Sequence, residues 1–115
     1  MMFGFDETIE YKPSPRQLFK KQIETMREYI DMTSKRDKKF IDEYTALLKE
    51  AEVLHGQLSV SEQNEVNLYW SSVQMLAAQL PTFAVTYSLM GVNNALDSII
   101  MPHKSHLISL IGVLS

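Results

Sequence analysis

His103-x-x-His106 places two imidazoles three residues apart, a spacing at which one face of a helix can offer both to a metal ion. A zinc site needs three or four ligands. Here there is no cysteine, His55 is distant in sequence, and the nearest acid, Asp97, lies beyond Pro102. The pair therefore reads as ordinary loop and cap histidines, and no metal or cofactor is expected. The chain has no glycine-rich phosphate loop, G-x-S-x-G turn, H-E-x-x-H motif or thiol nucleophile. Its acids cluster on faces expected to be solvated, without the environment-split pairs of carboxylates that acid–base catalysis uses. The expectation is a protein with no catalytic residue, which is not an enzyme.

A second grouping with chemical potential is basic. Lys35-Arg36-Asp37-Lys38-Lys39 is backed by Lys20, Lys21 and Arg27. A cluster of this kind can bind anions, so Lys20, Lys21, Lys35, Arg36, Lys38 and Lys39 are the candidate residues of an anion- or nucleic-acid-binding helical module. Against it stand Asp42, Glu43, Glu50 and Glu52 nearby, a net charge of −3 and a pI near 5.5. Binding to a nucleic-acid backbone requires a net positive footprint, so nucleic acid is not the expected partner.

The strongest anomaly is where the charges stop. Residues 1–11 carry a net −3, residues 12–39 a net +5 and residues 40–65 a net −5. From Val66 to Ser115 only Asp97 and Lys104 are charged, and Val66 to Leu96 contains no formal charge at all. A helix with a solvated face normally carries charge on it, so this half is expected to be covered, by its own domain or by a partner. Obligate interfaces resemble a domain core cut in half and are depleted of charge. Trp70, Val73, Ala77, Leu80, Phe83 and Tyr87 are the candidate contact residues. Met2, Met26, Met32, Met75, Met90 and Met101 add adaptable apolar side chains to a core or a binding surface. Gln74, Gln79, Pro81, Thr82, Thr86 and Ser88 interrupt the apolar run, so it does not read as a membrane span. Residues 105–115 are too short to cross a bilayer, which leaves a peripheral membrane anchor as a further alternative.

These residues need elements to hold them. Ser14-Pro15-Arg16-Gln17 is a helix start, with Ser14 as cap, Pro15 at the first helical position and Gln17 completing a capping box. Phe19, Ile23, Met26 and Ile30 then follow at 4, 3, 4 spacing, predicting a helix over about 15–33. Phe40, Tyr44, Leu47, Ala51 and Leu54, broadened by Ile41 and Leu48, predict a second over about 35–55, with Gly56 as a left-handed cap. Ser59-x-x-Glu62 is another capping box. Val66, Trp70, Val73, Ala77 and Leu80 predict a third helix over about 60–80, ended or kinked by Pro81.

After Pro81 the pattern is ambiguous. Residues 82–89 alternate as a strand would, and 3–11 also alternate, so an α+β alternative pairs these two segments in a small ribbon. Helix is favoured, because an isolated two-stranded ribbon is marginal. Beyond Gly91 the sequence predicts a short helix through Leu96, Ile99 and Ile100 ending at Pro102, then a last one from Ser105 through Leu107, Ile108, Ile111 and Leu114.

The expected fold is all-α: one domain over 1–115, with 1–13 as an extended N-terminal arm and three principal helices in an antiparallel bundle. The start, Met1 to Glu7, lacks the basic and apolar regions of a signal peptide, so a cytoplasmic location is expected. The expected function is a non-catalytic interaction or assembly protein: an adaptor, an inhibitor, a chaperone-like factor or a structural subunit. It would self-associate or dock on a protein partner through its charge-poor C-terminal half.

Overall fold

The computed structural model describes residues 12–33, 37–90 and 97–115, with residues 83–90 and 97 described through their backbone only. The described residues are all-helical: α1 (Pro15–Met32), α2 (Lys38–Gly56), α3 (Val60–Met90) and α4 (Asp97–Leu114).

Helix α1 begins as its sequence dictates. The Ser14 hydroxyl accepts from the Gln17 N–H at 3.2 Å, and the Gln17 side chain accepts from the Ser14 N–H at 2.8 Å. Two of the orphan donors of the first turn are thereby satisfied. All four of its periodic residues, Phe19, Ile23, Met26 and Ile30, are buried. Helix α2 starts later than its basic run suggests. Asp37 is the cap, its carboxylate accepting from the Phe40 N–H at 3.0 Å, and its negative charge complements the helix dipole. Lys35 and Arg36 lie outside the described residues.

The end of α2 departs from expectation. Gly56 is the last helical residue, and the cap is Gln57 in a right-handed conformation (φ −88°, ψ −9°), its N–H turning back to Leu54 and His55. No left-handed glycine is needed, because the turn is closed from outside. The Gln63 amide donates to the carbonyls of His55 and Leu58 at 3.2 Å each, and the Leu58 side chain is buried. The capping box at Ser59 and Glu62 then opens α3.

Pro81 does not end α3. The helix continues to Met90, so residues 82–89 are helical and the strand alternative fails there; its other half, 3–11, lies outside the described residues. Proline at 81 removes the donor that would meet the Ala77 carbonyl and crowds that turn, yet the helix runs through it with the Pro81 ring exposed. Pro102 behaves likewise: α4 is one helix through it, in place of a short helix ending at Pro102 and another starting at Ser105. The lost donor is the one that would meet the Ser98 carbonyl, and Pro102 itself stands exposed.

The helices touch in a ring. Along α1 and α2 the contacts run in opposite senses: Tyr29 stacks on Phe40, Gln22 reaches the Leu47 carbonyl, and Phe19 meets His55. Gln74 to Glu52 and Gln63 to His55 join α3 to α2 in the same antiparallel way. Arg16 at the start of α1 holds the end of α4, while Asp31 near its other end pairs with Lys104. The inner face of α3, Val66, Trp70, Val73, Ala77 and Leu80, is buried and faces this common core.

At 31 residues α3 is about 46 Å long, against about 27–29 Å for the other three. It is longer than each of them by about two fifths of its own length.

Candidate protein interface

Of the six expected contact residues, Trp70, Val73, Ala77 and Leu80 are each at most 7% exposed within a single chain. A partner cannot reach them without opening the core. Trp70 stacks on the His55 ring at 5.1 Å and meets the edge of Phe19 at 5.2 Å, which makes it a junction of three helices. The side chains of Phe83 and Tyr87 lie outside the described residues.

The opposite side of α3 carries an exposed seam that the sequence reading did not single out. Asn64, Leu68, Ser71, Met75, Ala78 and Thr82 are all exposed, Leu68 by 74% and Met75 by 62%. Their spacing is 4, 3, 4, 3, 4, a second seam set against the buried one. Isolated surface apolar residues are normal on soluble proteins and need no account. Leu68 and Met75 differ because no charged residue lies between or beyond them on α3 after Glu65. Helix α4 repeats the pattern: Met101, Ser105, Ile108 and Gly112 are exposed at 4, 3, 4 spacing, again alternating large and small. Both stripes could have been read from the same periodicity that located the core, taken half a turn out of phase.

Among the described residues the expected anion-binding lysines fall into two separate pairs. Lys21 is exposed and Lys20 half-buried on the first part of α1, a region level with the second half of α2. Lys38 and Lys39 open α2 at the other end of that helix pair. Lys38 is paired with Asp42 at 2.7 Å, and Lys39 shares its groove with Asp37 and Glu43. A larger groove of about 450 Å³ between α1 and α4 mixes Lys21 and Arg27 with Glu24, Glu28 and Asp31, so it selects neither sign of charge. Among the described residues no three His, Cys, Asp or Glu side chains are grouped as a metal site.

His103 is not a loop or cap residue. It is 1% exposed in the core, on the same face of α4 as the buried Ile100, Leu107, Leu110 and Leu114. Its Nε2 is hydrogen-bonded to the Tyr44 hydroxyl, the two rings lying edge to face at 5.3 Å. Its Nδ1 is buried without a hydrogen-bond partner among the described residues. Burial, helped by the nearby His106, pushes His103 down to about 4, and burial drives Tyr44 up. Both groups therefore stay neutral at physiological pH. His55 is also held below its usual value by burial, and its Nε2 likewise lacks a partner. His106 packs instead on Tyr69 at 6.3 Å, so the two histidines of the spaced pair serve different neighbours.

Residues 105–115 turn Leu107, Leu110 and Leu114 inward, leaving Ile108 as their exposed large apolar residue. Among the described residues no helix is long and apolar enough to cross a membrane. Searches of family models, curated proteins and solved structures find no match to this chain.

Proposed function

We propose that this chain is a non-catalytic interaction or assembly protein, working as an adaptor, inhibitor, chaperone-like factor or structural subunit. Its helices form an up-and-down bundle that serves as a scaffold, and its docking surface is the outer side of α3 with the adjoining stripe of α4. The observation that carries this reading is the pair Leu68 and Met75, more than half exposed in a stretch with no formal charge. A helix apolar on both sides belongs inside a larger assembly. On this reading Trp70, Val73, Ala77 and Leu80 contribute indirectly, by fixing the helix whose far side meets the partner.

The methionines supply a built-in test. Met75 is 62% exposed in the free chain, Met32 on α1 is 84% exposed and Met26 is fully buried. Thioether oxidation follows exposure. In dilute purified protein Met75 and Met32 should both oxidise readily. In a lysate of the cells that make the chain, Met75 should be protected several-fold relative to Met32. Equal relative rates in the two settings would remove the reading.

A further inference from the structure

We infer that the partner on the outer seam of α3 is a second copy of this chain, with the two α3 helices paired antiparallel about a two-fold axis at the level of Val73. The inference rests on the reading above that this seam is a docking surface, and it names the occupant.

The seam is complementary to its own reverse. Along α3 it runs Leu68, Ser71, Met75, Ala78, large alternating with small, all four exposed. Turning a second copy end for end about position 73 exchanges 68 with 78 and 71 with 75. Each large residue then meets a small one: Leu68 faces Ala78 of the other copy, and Met75 faces its Ser71. At the ends, Asn64 faces Thr82, two polar side chains able to hydrogen-bond. Small residues opposite large ones let helix axes approach to about 8–10 Å with side chains interlocked. A partner of unrelated sequence gives no reason for a seam to carry this relation to itself. The same two-fold operation makes the contact isologous and closed, so the assembly stops at two.

Charge selects the direction. A parallel pair would set Glu62 and Glu65 of the two copies at one level. The antiparallel pair places them at opposite ends, against a stretch of α3 that carries no charge beyond Glu65. Like charges facing each other across helices are destabilising, so the parallel arrangement is disfavoured. On α3 itself the flanking residues Asn67, Gln74 and Gln79 are uncharged, and Gln74 donates to the carboxylate of Glu52 on α2. From Asn64 to Thr82 the seam is about 27 Å long. One helix pair of that length lies at the small end of specific interfaces, so the dimer should be reversible and concentration-dependent.

Light scattering during gel filtration, over a dilution series without detergent, should show a mass rising from 13.2 kDa toward twice that value. Leu68→Glu should hold the chain monomeric with its helical circular dichroism unchanged, because Leu68 makes few contacts within the chain. Register is read with cysteines, which the chain otherwise lacks. Asn64→Cys and Thr82→Cys proteins, mixed under mild oxidation, should form a mixed disulfide dimer, while each alone should not. A monomer at every concentration overturns the inference, as does a dimer that Leu68→Glu leaves intact. Efficient self-crosslinking of Asn64→Cys alone overturns the antiparallel arrangement. Met75 protected in lysate while the purified chain stays monomeric would leave the docking reading standing and remove the second copy.

Discussion

Helices α1 and α3 bury seams of the same spacing but turn different faces to solvent. On α1 the inner residues Phe19, Ile23, Met26 and Ile30 are backed by exposed Lys21, Glu28 and Asp31. On α3 the inner residues Val66, Trp70, Val73, Ala77 and Leu80 are backed by exposed Leu68 and Met75. The inner seams explain the fold in both cases. Along the middle of the helix, α1 turns charge to the outside and α3 turns apolar side chains. The contrast separates two demands on one pattern: the buried phase specifies packing, and the exposed phase is free to specify something else.

The sharpest way to test that separation is to change neighbours on α3 that point opposite ways. Trp70→Ala removes a 2%-exposed ring wedged between His55 and Phe19, and should destabilise the fold by about 3–5 kcal/mol in denaturant unfolding. Leu68→Glu, two residues earlier, should change stability by no more than about 0.5 kcal/mol while abolishing association. If both variants unfold alike, the outer seam is part of the core and the contrast between helices collapses.

The next largest effect tests whether α4 belongs with the core as firmly as α1. An unfolded histidine titrates near 6.5, and His103 in the fold near about 4. Between those values the unfolded chain binds the extra proton, so stability falls as pH drops through that window and the loss is complete below it. The expected loss is about 3 kcal/mol. Chemical unfolding at a series of pH values should show it, with His55 adding in the same direction. The double variant Tyr44→Phe, His103→Leu removes both partners together and should flatten most of that slope. An unchanged slope would assign the acid sensitivity to other groups.

A smaller effect concerns the ion contacts that distinguish the charged helices. The Arg16 guanidinium donates to the Val113 carbonyl at 2.9 Å and the Leu114 carbonyl at 3.3 Å, and pairs with Glu65 at 2.7 Å. Arg16→Met should cost about 1–2 kcal/mol, because carbonyls at the end of α4 lose a charged donor. Lys38→Ala, which breaks the exposed pair with Asp42, should cost less than about 0.5 kcal/mol. Comparable losses in thermal unfolding would mean that the Arg16 contact is no more than a surface pair.

How much of this was legible depended on whether local chemistry or tertiary packing decided the outcome. Helix α1 was legible in full, since Ser14, Pro15 and Gln17 set its start and Phe19, Ile23, Met26 and Ile30 its buried face. The inner face of α3 was legible for the same reason. Pro81 and Pro102 misled, because a proline costs one donor and crowds one turn locally, and both helices run on through it, α4 with Ile99, Ile100 and Leu107 buried on either side. His103 followed from Pro102: once a break was placed there, the spacing Ile100, His103, Leu107, Leu110, Leu114 no longer read as one seam. Gly56 suggested a left-handed cap, yet Gln63 of the next helix closed that turn, with Leu58 buried within it. The outer seam of α3 was present in the sequence as absence of charge, but its phase against the buried seam needed the packed helices to be seen.

The Arg16 clamp has a temporal consequence. It joins residues separated by 97 and 98 positions, so α1 is sealed only after the much later α4 has been synthesised. Until α4 exists, the flank of α1 that packs on it has no cover, and the α1–α2 hairpin must wait with apolar surface showing. Contacts this distant in sequence slow folding, because loop-closure entropy is lost before the contacts form. In a growing chain, the nascent α1–α2 pair is therefore the state most open to mispairing, and completion of α4 is the event that ends that exposure.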